Sequence, residues 1–472
     1  MAPAWHRLEG MNGAVHLPLE LAELSYVASG GALMRRTILP SGVRILSERV
    51  PGSSSATLGY WVAVGSRDEL PHRPPVGAAP ARESGFGSTH FLEHLLFKGT
   101  PSRTALDIAI AFDAVGGEHN AMTSKEYTCY YAKVRDIDLP MAVEVIADML
   151  TSSLIDPAEF ETERGVILEE LAMSDDDPGD VASQAFFEAV LGEHPLGRPV
   201  GGTPDTIKGA TRDAVVGHYR ANYRPQDLVV TAAGAVDHDD LVAGVVAALE
   251  NAGWDLAAER RPVERRSTTP ASIARQTAVR TIPRPLEQEH LLVGMNGLTA
   301  LDDRRVTMSV LNSIFGSGMS SRLFQEIREK RGLAYSVYSF APAYSDAGVF
   351  GMYGACTPAK AGQVVELMLE ELRRLARDGV SDEEMRRANG QLSGASALAL
   401  EDSDTRMSRL GRSEITLGEF VDLDESLRRL AQVTARDVQD LAAELASRPL
   451  SLAAVGTVED DVFAGFGSPV QE

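Results

Sequence analysis

Two histidines and a glutamate stand within five consecutive residues, His90-Phe-Leu-Glu93-His94. On a helix, at about 100° per residue, His94 lies about 40° round from His90 and Glu93 about 60° to the other side. Both imidazoles and the carboxylate then share one face, while Leu92 and Leu95 pack elsewhere. That arrangement suits a divalent cation held by two neutral imidazoles, with a carboxylate beside the remaining open position. The order H-x-x-E-H is the reverse of the commoner H-E-x-x-H zinc motif. With ten histidines in the chain, chance produces the pattern at about the 1–2% level. Paired histidines also occur simply on solvated helix faces, but Phe91, Leu95, Leu96 and Phe97 make these surroundings apolar, and the placement needs a reason.

A catalytic zinc site takes three protein ligands and keeps one position for water. The stretch Glu163-Arg-Gly-Val-Ile-Leu-Glu-Glu170 supplies candidates for the third. Glu163 and Glu170 are seven apart, nearly superposed on one helix face, and Glu169 points about 100° away. A ligand backed by a further carboxylate would use the 163/170 pair. Taken alone, these glutamates read as a solvated acidic face.

Together, the residues resemble the M16 (pitrilysin/insulinase) family of zinc metallopeptidases. The pentapeptide, followed 76 residues after His94 by Glu170 within Val-Ile-Leu-Glu-Glu-Leu, carries the resemblance. It is supported by the run His90 to Thr100 (HFLEHLLFKGT), Gly116-Gly117, Asn120-Ala121 with Thr123, Gly318 to Phe324 (GMSSRLF), and Arg328 with Tyr335. It covers roughly residues 36–460 and is closest to the branch containing the mitochondrial processing peptidase β subunit and its bacterial homologues.

The resemblance implies zinc held by His90, His94 and Glu170, one ion per chain, with Glu93 as general base and Glu163 as the acid behind a ligand. It places Asn120 and Ala121 on an edge strand that pairs with the substrate backbone. Arg328 and Tyr335 would contact substrate and help stabilise the tetrahedral intermediate, reaching the zinc site from a partner subunit in two-domain members. For Tyr335 the competing reading is an aromatic in the core of the second domain. The family's chamber selects short or unfolded peptides. The segment 71–88, with four prolines and three glycines, is longer than expected before the motif helix.

The elements that must position these groups follow from the pattern. Residues 1–35 read as an N-terminal extension. A Pro-Ser-Gly turn joins two apolar runs in 36–48, a hairpin signal. Thr57 to Gly65 reads as a buried strand, 71–88 as a loop, and 89–98 and 104–115 as helices, the second stopped by Gly116-Gly117. Asn120 to Val134 reads as one strand-like stretch, and 138–153 and 157–174 as helices, the latter opened by Asp156-Pro157. Asp227 to Gly234 is a strand, and 238–250 a helix. The second half repeats this grammar weakly: DLVVTAAGAVD at 227–237 resembles LSLAAVGTVED at 450–460, and Asp156-Pro-Ala-Glu-Phe resembles Ser381-Asp-Glu-Glu-Met. The Arg-rich stretch 258–276 reads as a linker. The expectation is an α+β protein of two homologous domains, a zinc-binding one at 36–257 and a non-metal-binding one at 277–472. Each is a mostly antiparallel sheet packed with helices, and the family likeness implies a clam-shell arrangement.

Composition sets the outer limits. At 472 residues, 44% apolar and 24% charged, the chain is globular and too long for one ordinary domain. Its 67 acidic and 45 basic residues give a net charge of −22, the opposite of a nucleic-acid binder and compatible with basic peptide substrates. Two distant cysteines, Cys129 and Cys356, form neither a disulfide framework nor a Cys-rich metal site. No apolar run approaches a bilayer span and no signal peptide is legible, so a cytoplasmic location is expected. The reading is a zinc-dependent endopeptidase, expected as a homodimer because the chain has its own Arg328/Tyr335 pair. The alternatives are a non-catalytic scaffold of the same fold, or an unrelated zinc hydrolase.

Overall fold

The structure, a computed structural model, describes residues 6–7, 13–70, 85–273, 278–458, 460–463 and 466. Most of the loop 71–88 and parts of the 1–35 and 258–276 segments therefore lie outside the described residues. The chain divides into two compact units.

The first unit comprises 1–171, 199–265 and 397–426. Its eight-stranded sheet runs, in spatial order, His6–Arg7, Glu23–Val27, Leu33–Ile38, Arg44–Arg49, Leu228–Gly234, Ser55–Val62, Thr128–Arg135 and Glu118–Thr123. All pairings are antiparallel except the His6–Arg7 pairing with Glu23–Val27 and the Arg44–Arg49 pairing with Leu228–Gly234. Successive side chains of a strand point to opposite faces, so both faces of this sheet are apolar. Leu58, Tyr60 and Val62 join one core with Phe91, Leu95 and helix residues Val143, Ile146 and Leu241. Trp61 and Val229 face the other side, where Met407 and Leu410 cover them.

The Pro-Ser-Gly turn lies between Leu33–Ile38 and Arg44–Arg49, with Gly42 at φ +87°, a conformation glycine adopts without strain. The stretch expected as one strand at 120–134 is a hairpin, Glu118–Thr123 and Thr128–Arg135. Its Ser124-Lys-Glu turn is closed by Ser124 N–H donating to Tyr127 O at 2.9 Å. The described part of the 1–35 segment contributes strands: Glu23–Val27 joins the main sheet and Ala14–His16 pairs with Glu419–Val421.

The second unit comprises 172–198, 266–396 and 427–472. Its five strands run Ala278–Pro283, Ser451–Gly456, Glu289–Asn296, Val349–Cys356 and Ala334–Phe340, antiparallel apart from the first pair. Helices Arg305–Phe315, Ala361–Asp378 and Ala435–Ala446 share one core with this sheet. Helix Pro178–Leu191 covers the other face, and Phe186 lies so close to Gly294 that a Cβ there would meet its ring at 2.8 Å.

The units are thus not two contiguous stretches on either side of 258–276. Helix Pro178–Leu191 belongs to the second sheet although it comes from the first half of the chain, and Ser403–Arg412 belongs to the first sheet although it comes from the second half. Buried polar contacts fix the returning segment. Glu48, fully buried, accepts from Arg406 at 2.6 Å and Arg409 at 2.8 Å. Glu414, equally buried, accepts from Arg36 and Arg265, each at 3.2 Å. Gly411 presses against Trp61, where a Cβ would sit 2.4 Å from the ring. Among the described residues no helix is long and apolar enough to cross a membrane.

His238, at the start of helix His238–Asn251, is buried between the Ser47 and Thr37 hydroxyls, at 2.8 and 3.0 Å. Burial, reinforced by Arg35 and opposed by Asp239 and Asp237, pushes its pKa down to about 4. The unfolded chain takes up this proton near pH 6.5, the folded chain only near 4, so stability is full above 6.5 and falls as pH descends through that window. The predicted loss from this one group is about 3 kcal/mol by pH 4. Thermal midpoints from pH 7.5 to 4.5 will show a shallower decline for His238→Gln than for wild type; parallel curves would refute it.

Candidate active site

The motif pentapeptide lies in helix Ser88–Leu96. Glu69, almost fully buried, caps that helix: its two carboxylate oxygens accept from the Gly87 and Thr89 amides, each at 2.8 Å. A carboxylate at a helix N-terminus satisfies free amides and opposes the helix dipole. Phe91, Leu92, Leu95 and Leu96 are buried, which turns His90, Glu93 and His94 the other way.

The partner is the long helix Pro157–Asp176. Phe160 stacks on Phe91, rings 9° from parallel with centroids 4.4 Å apart. Arg164 lies over the Phe160 ring at 4.9 Å and donates to Ala210 O at 3.0 Å. Phe160, Glu163 and Ile167 are the buried positions, three to four apart. Two helical turns beyond Glu163, Glu170 arrives at the two histidines.

The geometry brings together the three expected ligands. Glu170 Oε1 is 3.6 Å from His90 Nε2, and Oε2 is 3.4 Å from His94 Nε2. One ligand atom from each of the three lies within 4.8 Å of the others. Glu163 accepts from His94 Nδ1 at 2.9 Å, and its other oxygen meets Lys98 Nζ at 2.5 Å. With Nδ1 donating to this carboxylate, the His94 Nε2 lone pair is directed at Glu170. Burial pushes the His90 pKa below its ordinary value, against the upward pull of Glu170, which favours the neutral imidazole a metal needs. His90 Nδ1 is buried without a hydrogen-bond partner among the described residues. Gly201 lies against it, where a Cβ would be 3.5 Å from Nδ1. Two imidazole nitrogens, one of them on a carboxylate-backed ring, and one carboxylate are a donor set that fits zinc. Half the Glu170 side chain is exposed, so the cluster opens to solvent.

Glu93 accepts a short hydrogen bond from the Thr123 hydroxyl. Thr123 ends the strand Glu118–Thr123, which among the described residues pairs on one side only and forms an edge of the sheet. Asn120 and Ala121 lie on that edge, and the Ala121 amide donates to the Asn120 side chain at 2.8 Å. Arg328 and Tyr335 belong to the second unit, on the turn Phe324–Glu329 and the strand Ala334–Phe340. The Arg328 guanidinium lies 4.4 Å from the Tyr335 ring centre and 4.6 Å from that of Phe324. Tyr335 is 75% exposed, so it is not a core aromatic. The sequence pattern gave no reason to single out Glu69, Gly201 or the Lys98 contact, and it named Thr123 without its bond to Glu93.

Comparison with known proteins bears on these features. Residues 44–204 match the family profile described as Insulinase (Peptidase family M16), and residues 209–392 match that of the Peptidase M16 inactive domain. An uncharacterized zinc protease of Streptomyces coelicolor is 47% identical over 431 residues, 91% of either chain. Uncharacterized zinc proteases of Mycobacterium tuberculosis and Bacillus subtilis are 44% and 36% identical, covering 89% and 90% of this chain and 93% and 98% of theirs. The crystal structure of a protease from Helicobacter pylori matches at TM-score 0.78 and 20% identity, over 90% of this chain and 99% of that one. A peptidase M16 inactive domain from Pseudomonas fluorescens matches at TM-score 0.78 and 18% identity, over 90% and 98%. The structural likenesses establish a shared fold; the two profiles and the sequence relatives establish that the chain belongs to peptidase family M16.

Proposed function

We propose that this chain is a zinc-dependent endopeptidase acting on short or unfolded peptides, of the processing-peptidase-β-like branch. The observation that carries the reading is the meeting of His90, His94 and Glu170, drawn from two helices, with Glu163 behind His94. The naming of its relatives as zinc proteases supports it. Zinc bound by those three residues would supply a Lewis acid and a water of lowered pKa.

The chain's own groups account for the rest. Glu93 takes a proton from the attacking water and passes it to the leaving amine. Thr123, donating to one Glu93 oxygen, fixes the carboxylate and leaves the other oxygen for that proton. An extended peptide adds to the free edge at Asn120 and Ala121, held by main-chain hydrogen bonds that tolerate many sequences. Arg328 and Tyr335 are assigned as substrate contacts, Tyr335 donating to the developing carbonyl oxyanion. Their support is the pre-formed pairing and the exposed phenol. A homodimer in the cytoplasm completes the reading, supported by an Arg/Tyr pair within this chain and by cysteines that are free and buried.

Glu93→Gln tests the assignment. It will keep about one zinc per chain and lose roughly 10²–10⁴-fold in turnover; unchanged turnover would remove Glu93 from its role. A wild type that binds zinc and cleaves nothing would favour the scaffold alternative. Thr123→Val will lower kcat about tenfold with zinc content and KM little changed, whereas Thr123→Ser will stay near wild type. With −22 on the chain, basic peptides will be cleaved faster than acidic ones of equal length at low salt, and the gap will close as salt rises. Equal rates at low salt would contradict that preference.

A further inference from the structure

We propose that Lys98 is a positioning residue for the metal ligand His94, acting through Glu163. The inference rests on the metal reading above and extends it to a residue that never touches the ion.

Lys98 follows His94 by four positions. The helix ends at Leu96, but the chain keeps turning, with Lys98 N–H donating to Leu95 O at 3.1 Å. His94 and Lys98 therefore stay on one side, one turn apart. Glu163 is inserted between them, one oxygen to His94 Nδ1 at 2.9 Å and the other to Lys98 Nζ at 2.5 Å. Glu159, one turn earlier on the long helix, adds a weaker contact at 3.9 Å from the outer side. The Glu163 side chain is 4% exposed and that of Lys98 29%, so the ammonium closes an otherwise buried carboxylate.

Two consequences follow. A carboxylate taken out of water persists in place only when its charge is compensated, and here the compensation comes from outside the metal site. Both oxygens are also used, which fixes the carboxylate plane. Without Lys98 that plane is free to turn about the His94 bond, or the side chain withdraws toward solvent. The imidazole then loses the partner that sets its orientation. Removing an outer partner of this kind typically costs about 10–100-fold in metal affinity.

The test is zinc affinity, measured by chelator competition on metal-stripped full-length protein given zinc alone. Lys98→Met keeps the side-chain volume and removes the charge; Lys98→Arg keeps the charge. We expect Lys98→Met to weaken zinc binding about tenfold or more, Lys98→Arg to stay nearer wild type, and Glu163→Gln to weaken it comparably. The Lys98→Met/Glu163→Gln double variant should bind no more weakly than Glu163→Gln alone, because Lys98 works only through that carboxylate. A purely structural role would lower the melting temperature of the metal-free protein and leave the two losses multiplying. Wild-type affinity in Lys98→Met, or fully multiplying losses, overturns the inference while leaving the metal site intact. A wild type that binds no zinc would instead overturn the metal reading itself.

Discussion

The stacking of Phe91 on Phe160 sets the spacing on which the candidate site depends. Neither helix carries a complete ligand set. The first supplies two imidazoles, the second a carboxylate, and the groups converge only if the helices are held at one separation and one rotation. Two flat rings in contact fix the separation, and Ile167, buried two turns further along, keeps the same face inward. Glu163 and Glu170 then fall where they do because seven residues nearly complete two turns. An error of one residue in register would carry the carboxylate about 100° away.

Much of this was legible in the chain itself, for reasons that differ by residue. The histidines and Glu93 could be placed because helical periodicity says which side chains share a face, and the apolar residues between them say which way that face points. The 163/170 pair followed from the same arithmetic. Thr123 was harder: one strand hydroxyl meeting one carboxylate on a helix about thirty residues earlier leaves no periodic trace. The hairpin itself was hidden because the exposed edge strand Glu118–Thr123 lacks a run of core residues to separate it from Thr128–Arg135.

The exchanged segments were hidden for an electrostatic reason. Ser403–Arg412 is a polar, arginine-rich helix whose buried residues are only Met407, Leu410 and Gly411. Such a composition reads as a solvated surface. Its arginines instead reach Glu48, a charge within the sheet that no local pattern marks as buried. The same device recurs. Glu69 is held by helix amides, Glu414 by guanidinium groups, and Glu289 by the Thr457 and Val458 amides. In a strongly acidic chain, the carboxylates that matter for architecture are distinguished by their donors, and those lie far away in sequence.

The returning helix also constrains how the protein is made. When residue 265 leaves the ribosome, the first sheet has all its strands, yet the face bearing Trp61, Leu46 and Val229 still lacks Met407 and Leu410. At about 5–20 residues per second, that surface stays bare for roughly seven to thirty seconds of synthesis. A nascent chain with so durable an oily patch is a natural client for chaperones, and a gene cut at the midpoint would yield a first half permanently short of its cover.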